Sequence, residues 1–457
     1  MDNRVAPITA LRLRLTEEAY RSAVDMLPRE DGTPAFVVGL CGSTQIMRKD
    51  GYEAVATVFA LSSQLRFLSN AFDEDMLWSI RGYREKQEAW PAIFYRKESS
   101  KCFKEDLFLQ SLSDSLRKPI LAIEINPDDS MTGYFALDGC FQPINTILIP
   151  SADIFLWQNS TQNIENVDAE RTRRFEQSFG SKTLGIMSML KVGVIGVSGT
   201  GSPVAEMLYR LGVGELILVD DDRIETKNIG RIFNSSMQDA LDGRYKVDVL
   251  AASFAAHGLP TQVKVMASTT RDPSVIRELA QCDVVFGCMD SESGRALLNR
   301  LSTFYLVPYF DLGVNLKADG QGGISVVCGA VHYLKPGSSS LLSRKAISLE
   351  NIEAEDLKRA SPEMYQQQRE EKYIKGVQED RPAVITVNTM VAATALNDFL
   401  ARIHPYRHNP NSSIGCIRID LREPEFHLEP DGDPDAPLSR WAGYADMNPL
   451  LNMLSFA

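Results

Sequence analysis

Residues 192–203 join a short apolar strand to a glycine-rich turn, and this junction, VGVIGVSGTGSP, most constrains what the chain can fold into. The β-branched run at 192–195 is typical of a buried strand in a parallel sheet. Ser202 and Pro203 then predict a helix that has the serine as its N-cap and the proline as its first residue. Such a helix points its backbone N–H groups and the positive end of its dipole at the turn. The sequence therefore predicts an α/β fold with an anion-binding site at this turn.

A second apolar strand at 216–219 ends in Asp220, about twenty residues after the turn, where dinucleotide-binding folds carry a ribose-binding acid. Ser198 takes the place of the second glycine of G-x-G-x-x-G, which weakens the interpretation as an NAD site. Arg231 and Lys246 follow the second strand, and hydride transfer does not need such cations. Attack on the α-phosphorus of a triphosphate does need them. The spacing therefore favours nucleotide activation, and an NAD-dependent oxidoreductase is the alternative from another enzyme class.

An ordered set of residues surrounds the turn: Gly196, Gly199, Gly201, Ser202, Asp220, Asp222, Ile224, Asn228, Ile229 and Arg231. Farther along, Cys288-Met289-Asp290 is followed by Arg295, and RTRRFEQSFG precedes the first strand. These motifs resemble the patterns G-x-G-G-x-G-S, D-x-D-x-V-x-x-x-N-L-x-R-Q, C-x-D-x-x-x-x-R and R-x-x-R-Q of the ThiF/MoeB/HesA family. This family comprises adenylating enzymes and includes the ubiquitin-activating enzymes. The resemblance covers about residues 171–407.

The resemblance implies a role for each matched residue. It implies that ATP is bound by Gly196, Gly199, Gly201, Asp220, Asp222, Asn228, Arg231 and Lys246. Arg231 and Lys246 would also act in catalysis by neutralising phosphate charge, and Asp290 would bind Mg²⁺. Arg174 matches an arginine that reaches the ATP of the partner protomer, which implies a homodimer. Taken alone, Asp290 would be interpreted as a helix N-cap, Lys246 as a solvated lysine and Arg174 as part of a solvated helix face.

Length, composition and charge narrow the class of protein. At 457 residues the chain is long enough for two or three domains, and 44% apolar with 24% charged residues is typical of a globular protein. A net charge of −12 argues against nucleic-acid binding. No stretch approaches ~18 uninterrupted apolar residues, so we expect no membrane span and a cytoplasmic protein. Seven scattered cysteines without a C-x-x-C pair favour free thiols and argue against a structural zinc site.

Residues 1–158 are predicted to form a smaller α+β domain. The patterns predict an edge strand at 8–15, strands at 35–41, 93–95, 120–125 and 131–137, and helices at 17–26, 74–87 and 107–117. This order resembles the JAB/MPN metalloproteases, which cut ubiquitin-like conjugates. RKES follows the strand at 93–95 where that family has H-x-H-P, and no histidine precedes His257. We therefore expect a catalytically inactive JAB-like domain, and an unrelated α/β domain is the alternative.

Residues 159–407 are predicted to form the adenylation domain, with a Rossmann-like, mostly parallel sheet. After Arg231 the patterns predict helices at 246–257, 274–281, 293–306 and 381–400, and strands at 262–266, 283–288 and 309–312. Residues 336–382 form a crossover loop in this interpretation, and their charged, glutamine-rich part at 350–380 is predicted to be mobile. Residues 408–457 are predicted to form a C-terminal strand and a tail.

The acyl-transfer step leaves several interpretations open. Relatives often carry P-G-x-x-C-L-x-C where this chain has PGSSSLLS, so that Ser340 and Ser343 stand at both cysteine positions. In the first interpretation the enzyme only adenylates its carrier. In the second, one of these serines accepts the carrier as an oxyester, with His332 as the base. In the third, a distant cysteine moves to the site and accepts the carrier as a thioester. A flexible polar loop is the alternative interpretation of the serines.

The two resemblances together imply an ATP-dependent activating enzyme. It would adenylate the C-terminal glycine of a ubiquitin-like protein, release pyrophosphate and pass the carrier to a conjugating enzyme. A JAB-like domain beside an adenylation domain is similar to the activating enzymes of bacterial ubiquitin-like conjugation operons, which implies a role in antiviral defence. A sulfur-carrier adenylyltransferase of the thiamine or molybdopterin type is one alternative, and a non-catalytic scaffold with a vestigial nucleotide site is another.

Overall fold

The structure is a computed structural model that describes residues 8–27, 36–48, 51–67, 90–96, 119–137, 140–158, 169–371, 384–423 and 425–447. The chain divides into two compact units. The first comprises Met1–Asn163, Thr303–Leu306 and Trp441–Ala457, and the second comprises Ile164–Ser302 and Val307–Arg440. Each unit is built around one β-sheet.

The sheet of the first unit has nine strands in the spatial order β7-β6-β5-β4-β2-β3-β1-β8-β9. They are β1 (Ile8–Leu15), β2 (Phe36–Arg48), β3 (Gly51–Phe67), β4 (Trp90–Arg96), β5 (Ile120–Ile125), β6 (Met131–Leu137), β7 (Cys140–Pro143), β8 (Thr146–Pro150) and β9 (Ile154–Gln158). Helix α1 (Glu17–Met26) begins after Thr16, whose hydroxyl accepts a hydrogen bond from the Ala19 N–H at 3.1 Å. Apolar residues of α1 and of the sheet form one buried cluster, so the helix packs on the sheet.

Local sequence patterns predict part of this unit. Three elements are confirmed with their predicted bounds: the helix at 17–26 and the strands at 120–125 and 131–137. The edge position predicted for the strand at 8–15 is wrong, because β1 lies between β3 and β8 and runs parallel to both. Alternating leucines predict one buried face, but the other face is covered too, and Arg14 is fully buried there. The helices predicted at 74–87 and 107–117 lie outside the described residues.

The sheet of the second unit has eight strands in the order β12-β11-β10-β13-β14-β15-β16-β17. They are β10 (Lys191–Ile195), β11 (Glu215–Val219), β12 (Gln262–Met266), β13 (Val284–Gly287), β14 (Tyr309–Ala318), β15 (Ile324–Leu334), β16 (Cys416–Asp420) and β17 (Glu425–Glu429). Neighbouring strands pair in parallel along β12-β11-β10-β13-β14. Along β14-β15-β16-β17 they pair antiparallel. The α/β fold is confirmed, but its sheet is mixed, with the Rossmann-like parallel part extended by three antiparallel strands.

Helices of the second unit alternate with its parallel strands and then follow them. They are α2 (Ala169–Met189), α3 (Gly201–Leu211), α4 (Met237–Leu241), α5 (Lys246–His257), α6 (Pro273–Ala280), α7 (Glu292–Tyr305), α8 (Leu349–Ala360), α9 (Pro362–Glu370), α10 (Ile385–Ile403) and α11 (Ala436–Ser439). The last residues of α7 belong to the first unit. No helix in the described part of the chain is long and apolar enough to cross a bilayer.

The predicted start of the helix after the glycine turn is wrong by two residues. Helix α3 begins at Gly201, so that Thr200 is its N-cap, and Ser202 lies inside its first turn. The buried Ser202 hydroxyl instead accepts a hydrogen bond from the Phe233 N–H at 3.1 Å. A Cβ on Gly201 would lie 1.8 Å from the Gly196 carbonyl oxygen, so glycine lets the helix start directly against the turn.

The crossover region is more ordered than the expected mobile loop. Helices α8 and α9 occupy 349–370, and residues 372–383 lie outside the described part. Glutamate, lysine, arginine and glutamine have high helix propensity, so the charged, glutamine-rich composition fits helices. Ser348 caps α8 by accepting from the Asn351 N–H at 3.2 Å, and Pro362 takes the first position of α9. The expectation of a loop over 350–370 is therefore corrected to two helices.

Candidate active site

A cleft of about 680 Å³ opens at the carboxyl ends of β10, β11, β12 and β13 and beside the middle of β14 in the second unit. Ligands of parallel α/β sheets bind at this edge, beyond the ends of the strands. Predicted site residues that line the cleft are Gly196, Gly199, Asp220, Asp222, Asn228, Arg231, Lys246 and Asp290. Parallel pairing of the strands therefore brings together side chains that are distant in sequence.

The glycine turn forms one wall of this cleft. Gly196 has a φ of 81°, in the left-handed region that favours glycine. A Cβ on Gly199 would lie 2.3 Å from Asn388 Nδ2 and 3.3 Å from Arg231 Cδ, so this position has no room for a side chain. The N-terminus of α3 follows the turn directly and contributes the positive end of its dipole.

Asp220 fixes the turn against the neighbouring strand. Its carboxylate accepts hydrogen bonds from the Val197 N–H at 2.8 Å and the Asp222 N–H at 2.9 Å. Lys246 Nζ lies 2.6 Å from Asp222 Oδ2 and 3.7 Å from Asp220 Oδ1. Burial raises the pKa of Asp220, and the charge of Lys246 opposes this shift. The positive charge of Lys246 is thus already balanced by two carboxylates.

Asn228 positions the segment that carries Arg231. It ends the short 3-10 turn Thr226–Asn228, and its side-chain oxygen accepts from the Glu225 N–H at 3.0 Å. Its backbone carbonyl accepts from the Arg231 N–H at 3.0 Å. Arg231 itself makes no side-chain hydrogen bond or ion pair to the residues that the structure describes, whereas Lys227 pairs with Glu225 at 3.1 Å. Arg231 therefore brings an unbalanced positive charge to the cleft.

Asp290 is exposed in the cleft, between the end of β13 and the start of α7. A carboxylate in this position is a suitable ligand for a hard cation such as Mg²⁺. A second acidic group lies at the end of β11, where carboxylate oxygens of Asp220, Asp221 and Asp222 are within 4.8 Å of one another. The cleft therefore has carboxylates on both sides of the glycine turn.

Arg295 lines the cleft and forms an ion pair with Asp311, which does not line it. Its Nε and Nη2 donate to the two oxygens of Asp311 at 2.9 and 2.6 Å, and the Tyr309 hydroxyl donates to the same carboxylate at 2.8 Å. Burial alone would raise the pKa of Asp311, but the paired Arg295 guanidinium holds it below its usual value. The sequence pattern identifies Arg295 but contains no signal for its partners.

The chain matches the ThiF family over residues 171–425, which is more than half of its 457 residues. It belongs to the ThiF family. The match includes the glycine turn and the other predicted residues that line the cleft.

Among curated ThiF-like relatives, ubiquitin-like modifier-activating enzyme 5 of Aedes aegypti is 29% identical over 184 residues, which is 37% of this chain and 43% of that protein. The Drosophila ananassae enzyme of the same name is 27% identical over 268 residues, covering 52% and 62%. The chain thus spans less than two thirds of either relative. A crystal structure of E. coli MccB with ATP is 19% identical, covers 58% of this chain and 73% of that chain, and has a TM-score of 0.43.

Four predicted site residues of this ThiF-family chain are not among the described residues that line the cleft. Gly201 is buried at the start of α3, and Arg174 is exposed on α2. Ser340 and Ser343 lie in the loop after β15. His332, the base considered for the serines, is buried with its Nε2 3.9 Å from Cys416 Sγ, and burial lowers its pKa to about 4.

Residues 338–344, called the serine loop below, are fixed by hydrogen bonds rather than flexible as expected. Ser340 is 2% exposed, and its hydroxyl donates to Asp435 and accepts from the Ser343 N–H at 3.0 Å. Ser338 and Ser339 donate to Asp431, which also accepts from Arg344 Nη2 at 2.7 Å. The partners lie in a segment almost a hundred residues later, which is why local composition suggests a free loop.

The most informative cleft residue to which the sequence analysis assigns no role is Asn388. It is 2% exposed on α10 and lines the cleft opposite Gly199. Its neighbours along the buried face of the helix are apolar, including Val387, Val391 and Ala392. A single amide within such a face is a signal that the sequence contains, although it equally fits a residue that only packs on the sheet.

Proposed function

We propose that this chain is an ATP-dependent adenylyltransferase that activates the C-terminal glycine of a ubiquitin-like protein. One observation carries the proposal: a glycine turn at a helix N-terminus, the unbalanced Arg231 and the carboxylate of Asp290 line one cleft. Helix N-termini and arginines bind phosphates, and carboxylates bind hard cations, so this set fits a nucleoside triphosphate together with Mg²⁺. Hydride transfer would need neither the arginine nor the carboxylate.

In the proposed reaction an oxygen of the substrate carboxylate attacks the α-phosphorus of ATP. The new O–P bond forms as the bond to the bridging oxygen breaks, and pyrophosphate leaves with that electron pair. The glycine turn and Arg231 would hold the phosphates and stabilise the negative charge that develops there. Mg²⁺ held by Asp290 would supply further positive charge. Lys246 would keep Asp220 and Asp222 in place beside the ribose.

Relatives in the family support the choice of substrate. Two that match much of the ThiF region are named ubiquitin-like modifier-activating enzyme 5. The acyl group proposed for this chain is accordingly the C-terminal carboxylate of a ubiquitin-like protein, and a sulfur carrier of the same fold is the second candidate within the same chemistry.

The cysteines favour release of the acyl-adenylate to a partner over a thioester on this chain. Among the cysteines that the structure describes, Cys41, Cys282 and Cys416 are buried, and Cys288 and Cys328 are half-buried. Burial raises the pKa of each of these thiols, to about 12 for Cys282 and about 11 for Cys416. A nucleophilic cysteine needs the opposite shift. We therefore propose that a separate conjugating enzyme receives the carrier.

Further parts of the proposal concern partners and setting. A homodimer would bring the exposed Arg174 of one protomer to the nucleotide of its partner. The first unit would act as an inactive JAB-like domain, in a cytoplasmic bacterial conjugation system with a role in antiviral defence. No histidine precedes His257, so a zinc site of the two-histidine, one-acid kind has no ligands in residues 1–158.

Pyrophosphate exchange into ATP tests the proposed reaction. The full chain with Mg²⁺ and a ubiquitin-like protein ending in glycine is expected to exchange label, and Asp290→Ala is expected to abolish it. Asp433→Ala, an exposed carboxylate outside the cleft lining, is the control and should keep wild-type exchange. Exchange that persists in Asp290→Ala would refute the role assigned to this carboxylate.

A further inference from the structure

Asn388 and Arg231 both approach Gly199 of the glycine turn. The position that a Cβ of Gly199 would take lies 2.3 Å from Asn388 Nδ2 and 3.3 Å from Arg231 Cδ. Both side chains line the cleft, so an amide and an arginine side chain lie beside the turn. A ligand lying along the turn would meet both groups.

Helix α10 holds Asn388 rigidly in this position. The Asn388 N–H donates to the Val384 carbonyl at 3.1 Å, which places the residue in the first turn of the helix. The helix packs on α3, β14 and β15. Contact with β15 is close, because a Cβ on Gly329 would lie 2.3 Å from Val391 Cγ2. The amide is therefore presented by a packed helix and not by a loop.

The amide of Asn388 has no partner among the described residues but remains accessible from the cleft. The residue is 2% exposed, and its side chain makes no hydrogen bond to any residue within the described part of the chain. Its amide atoms are not among the fully buried polar atoms that lack a partner, so they keep contact with the cleft. Apolar neighbours such as Val387 and Val391 show that this face of α10 otherwise packs in the usual way. The position is thus suited to a group that arrives from the cleft.

The order of strands in the sheet indicates which part of a bound adenylate lies near Asn388. Asp220, the acid proposed for the ribose, follows β11 on one side of the turn. Helix α10 packs on β14, on the other side, where Leu312, Gly313 and Val314 also line the cleft. The acyl group of an adenylate joins the α-phosphate on the side away from the ribose. Asn388 therefore lies toward the acyl half of the adenylate.

We propose that Asn388 binds the carboxyl end of the acyl substrate, while Arg231 and the glycine turn hold the phosphates. An amide both donates and accepts, so it suits a carboxylate before the reaction and a carbonyl after it. It adds no charge, and Lys246 and Arg295, which line the same cleft, are already paired with carboxylates. The inference rests on the proposed adenylation and names the residue that recognises its acyl substrate.

Binding of two defined probes to the full chain tests this role by calorimetry. One probe is AMP, and the other is 5′-O-(N-glycylsulfamoyl)adenosine, a stable mimic of a glycyl-adenylate. Asn388→Ala is expected to weaken binding of the mimic about tenfold, because it removes one hydrogen bond to a polar group of the ligand. The same variant is expected to change AMP affinity by less than about twofold, because AMP lacks the acyl half.

Two further variants separate recognition from stability. Asn388→Leu should melt no lower than the wild type without ligand, since the amide that it removes has no partner in the described part of the chain, and should still lose affinity for the mimic. Asn397→Ala removes an exposed amide on the same helix, one that donates to the Ala393 carbonyl at 2.9 Å, and should bind both probes normally.

The outcomes distinguish this inference from the proposed function. A wild-type protein that binds neither probe would overturn the adenylyltransferase assignment and this role with it. If the wild-type protein binds both probes and Asn388→Ala weakens the affinity for AMP and for the mimic equally, Asn388 is a nucleotide contact. That result would refute the inference alone. Unchanged binding of the mimic in both Asn388 variants would refute it as well.

Discussion

The cleft around Gly199 and the serine loop are both polar regions of the second unit, but they differ in how their side chains are satisfied. In the serine loop, Ser340 donates to Asp435, and Arg344 donates to Asp431 at 2.7 Å and to the Gly415 carbonyl at 2.8 Å. In the cleft, Arg231 and Asn388 make no side-chain hydrogen bond to the residues that the structure describes. Arg231 is half-buried, and neither side chain has an atom among the fully buried polar atoms that lack a partner, so both are accessible from the cleft.

This difference separates structure from function within one unit. The serine side chains and Arg344 of the serine loop are paired with Asp431 and Asp435, in the segment that precedes α11. In the cleft, Lys246 and Arg295 are paired with carboxylates, but Arg231 and Asn388 have no such partner in the described part of the chain. Two unpaired polar side chains in a cleft are the arrangement expected of a site that binds a charged ligand.

Of the side chains without a partner in the described part of the chain, Arg231 should give the largest effect on function when it is removed. Arg231→Ala is expected to slow pyrophosphate exchange by about 10²–10³-fold, because it removes a charged donor from developing phosphate charge. Its free energy of unfolding should stay within about 0.5 kcal/mol of wild type, since the side chain has no partner to lose in the described part of the chain. Exchange kinetics measure the expected loss of rate, and urea unfolding measures the free energy of unfolding. Arg277→Ala, an exposed arginine on α6, is the control.

A side chain at position 199 should break the junction between turn and helix. Gly199→Ala is expected to destabilise the chain by about 1–3 kcal/mol and to impair ATP binding, because its Cβ would meet Asn388. Urea unfolding and calorimetry with ATP measure these effects. Combining Gly199→Ala with Asn388→Ala should restore part of the stability, since the second change removes the clash.

Gly230 supplies the matched control for that experiment. It lies one residue before Arg231, and a Cβ there would meet no atom within 4 Å. Gly230→Ala should therefore leave stability and ATP binding close to wild type. If it proves as harmful as Gly199→Ala, the damage comes from altered backbone freedom and not from contact with Asn388.

The serine loop should show the reverse pattern, with an effect on stability and none on catalysis. Asp431→Asn is expected to lower the free energy of unfolding by about 1.5–3 kcal/mol at neutral pH, because Arg344 and two serines lose an ionised acceptor. Pyrophosphate exchange by the folded variant should be unchanged. A comparable loss of exchange at full folding would show that the loop belongs to the site after all.

The effect of Asp431→Asn should also depend on pH. Burial alone would raise the pKa of Asp431, but Ser338, Ser339 and Arg344 hold it below its usual value. Because the folded pKa lies below the unfolded one, this contribution is complete above about pH 4 and disappears as the pH falls through the folded pKa. Urea unfolding of wild type and variant at neutral and acidic pH should therefore show a gap that narrows in acid.

Local sequence patterns predict those helices and strands whose own residues mark where the element begins and ends. The helix at 246–257 and the strand at 262–266 are confirmed with the predicted bounds, because apolar periodicity and Gly258 mark where they start and stop. The antiparallel part of the sheet was not predicted, since β14 and β15 pair over a long register that single-strand patterns do not encode. The crossover helices were missed because their composition was interpreted as loop and not as helix.

Candidate site residues follow the same division. Motif spacing identified the residues at strand ends, such as Asp220 and Asp290, because parallel strands present their carboxyl ends at one edge. It assigned no role in the site to Asn388, which reaches the turn from a helix packed on β14 and β15. Nor did it predict that Lys246 would already be paired with Asp222, a contact that depends on the folded geometry of the loop after β11.

The contact between Gly199 and α10 also orders events during synthesis. The ribosome delivers the glycine turn long before it delivers Asn388, so a growing chain carries the phosphate wall of the cleft without the wall opposite. The cleft reaches its final geometry only when α10 has emerged and packed on its sheet. Under the proposed function, a nascent chain would therefore not act on an acyl substrate until nearly all of the second unit has left the exit tunnel.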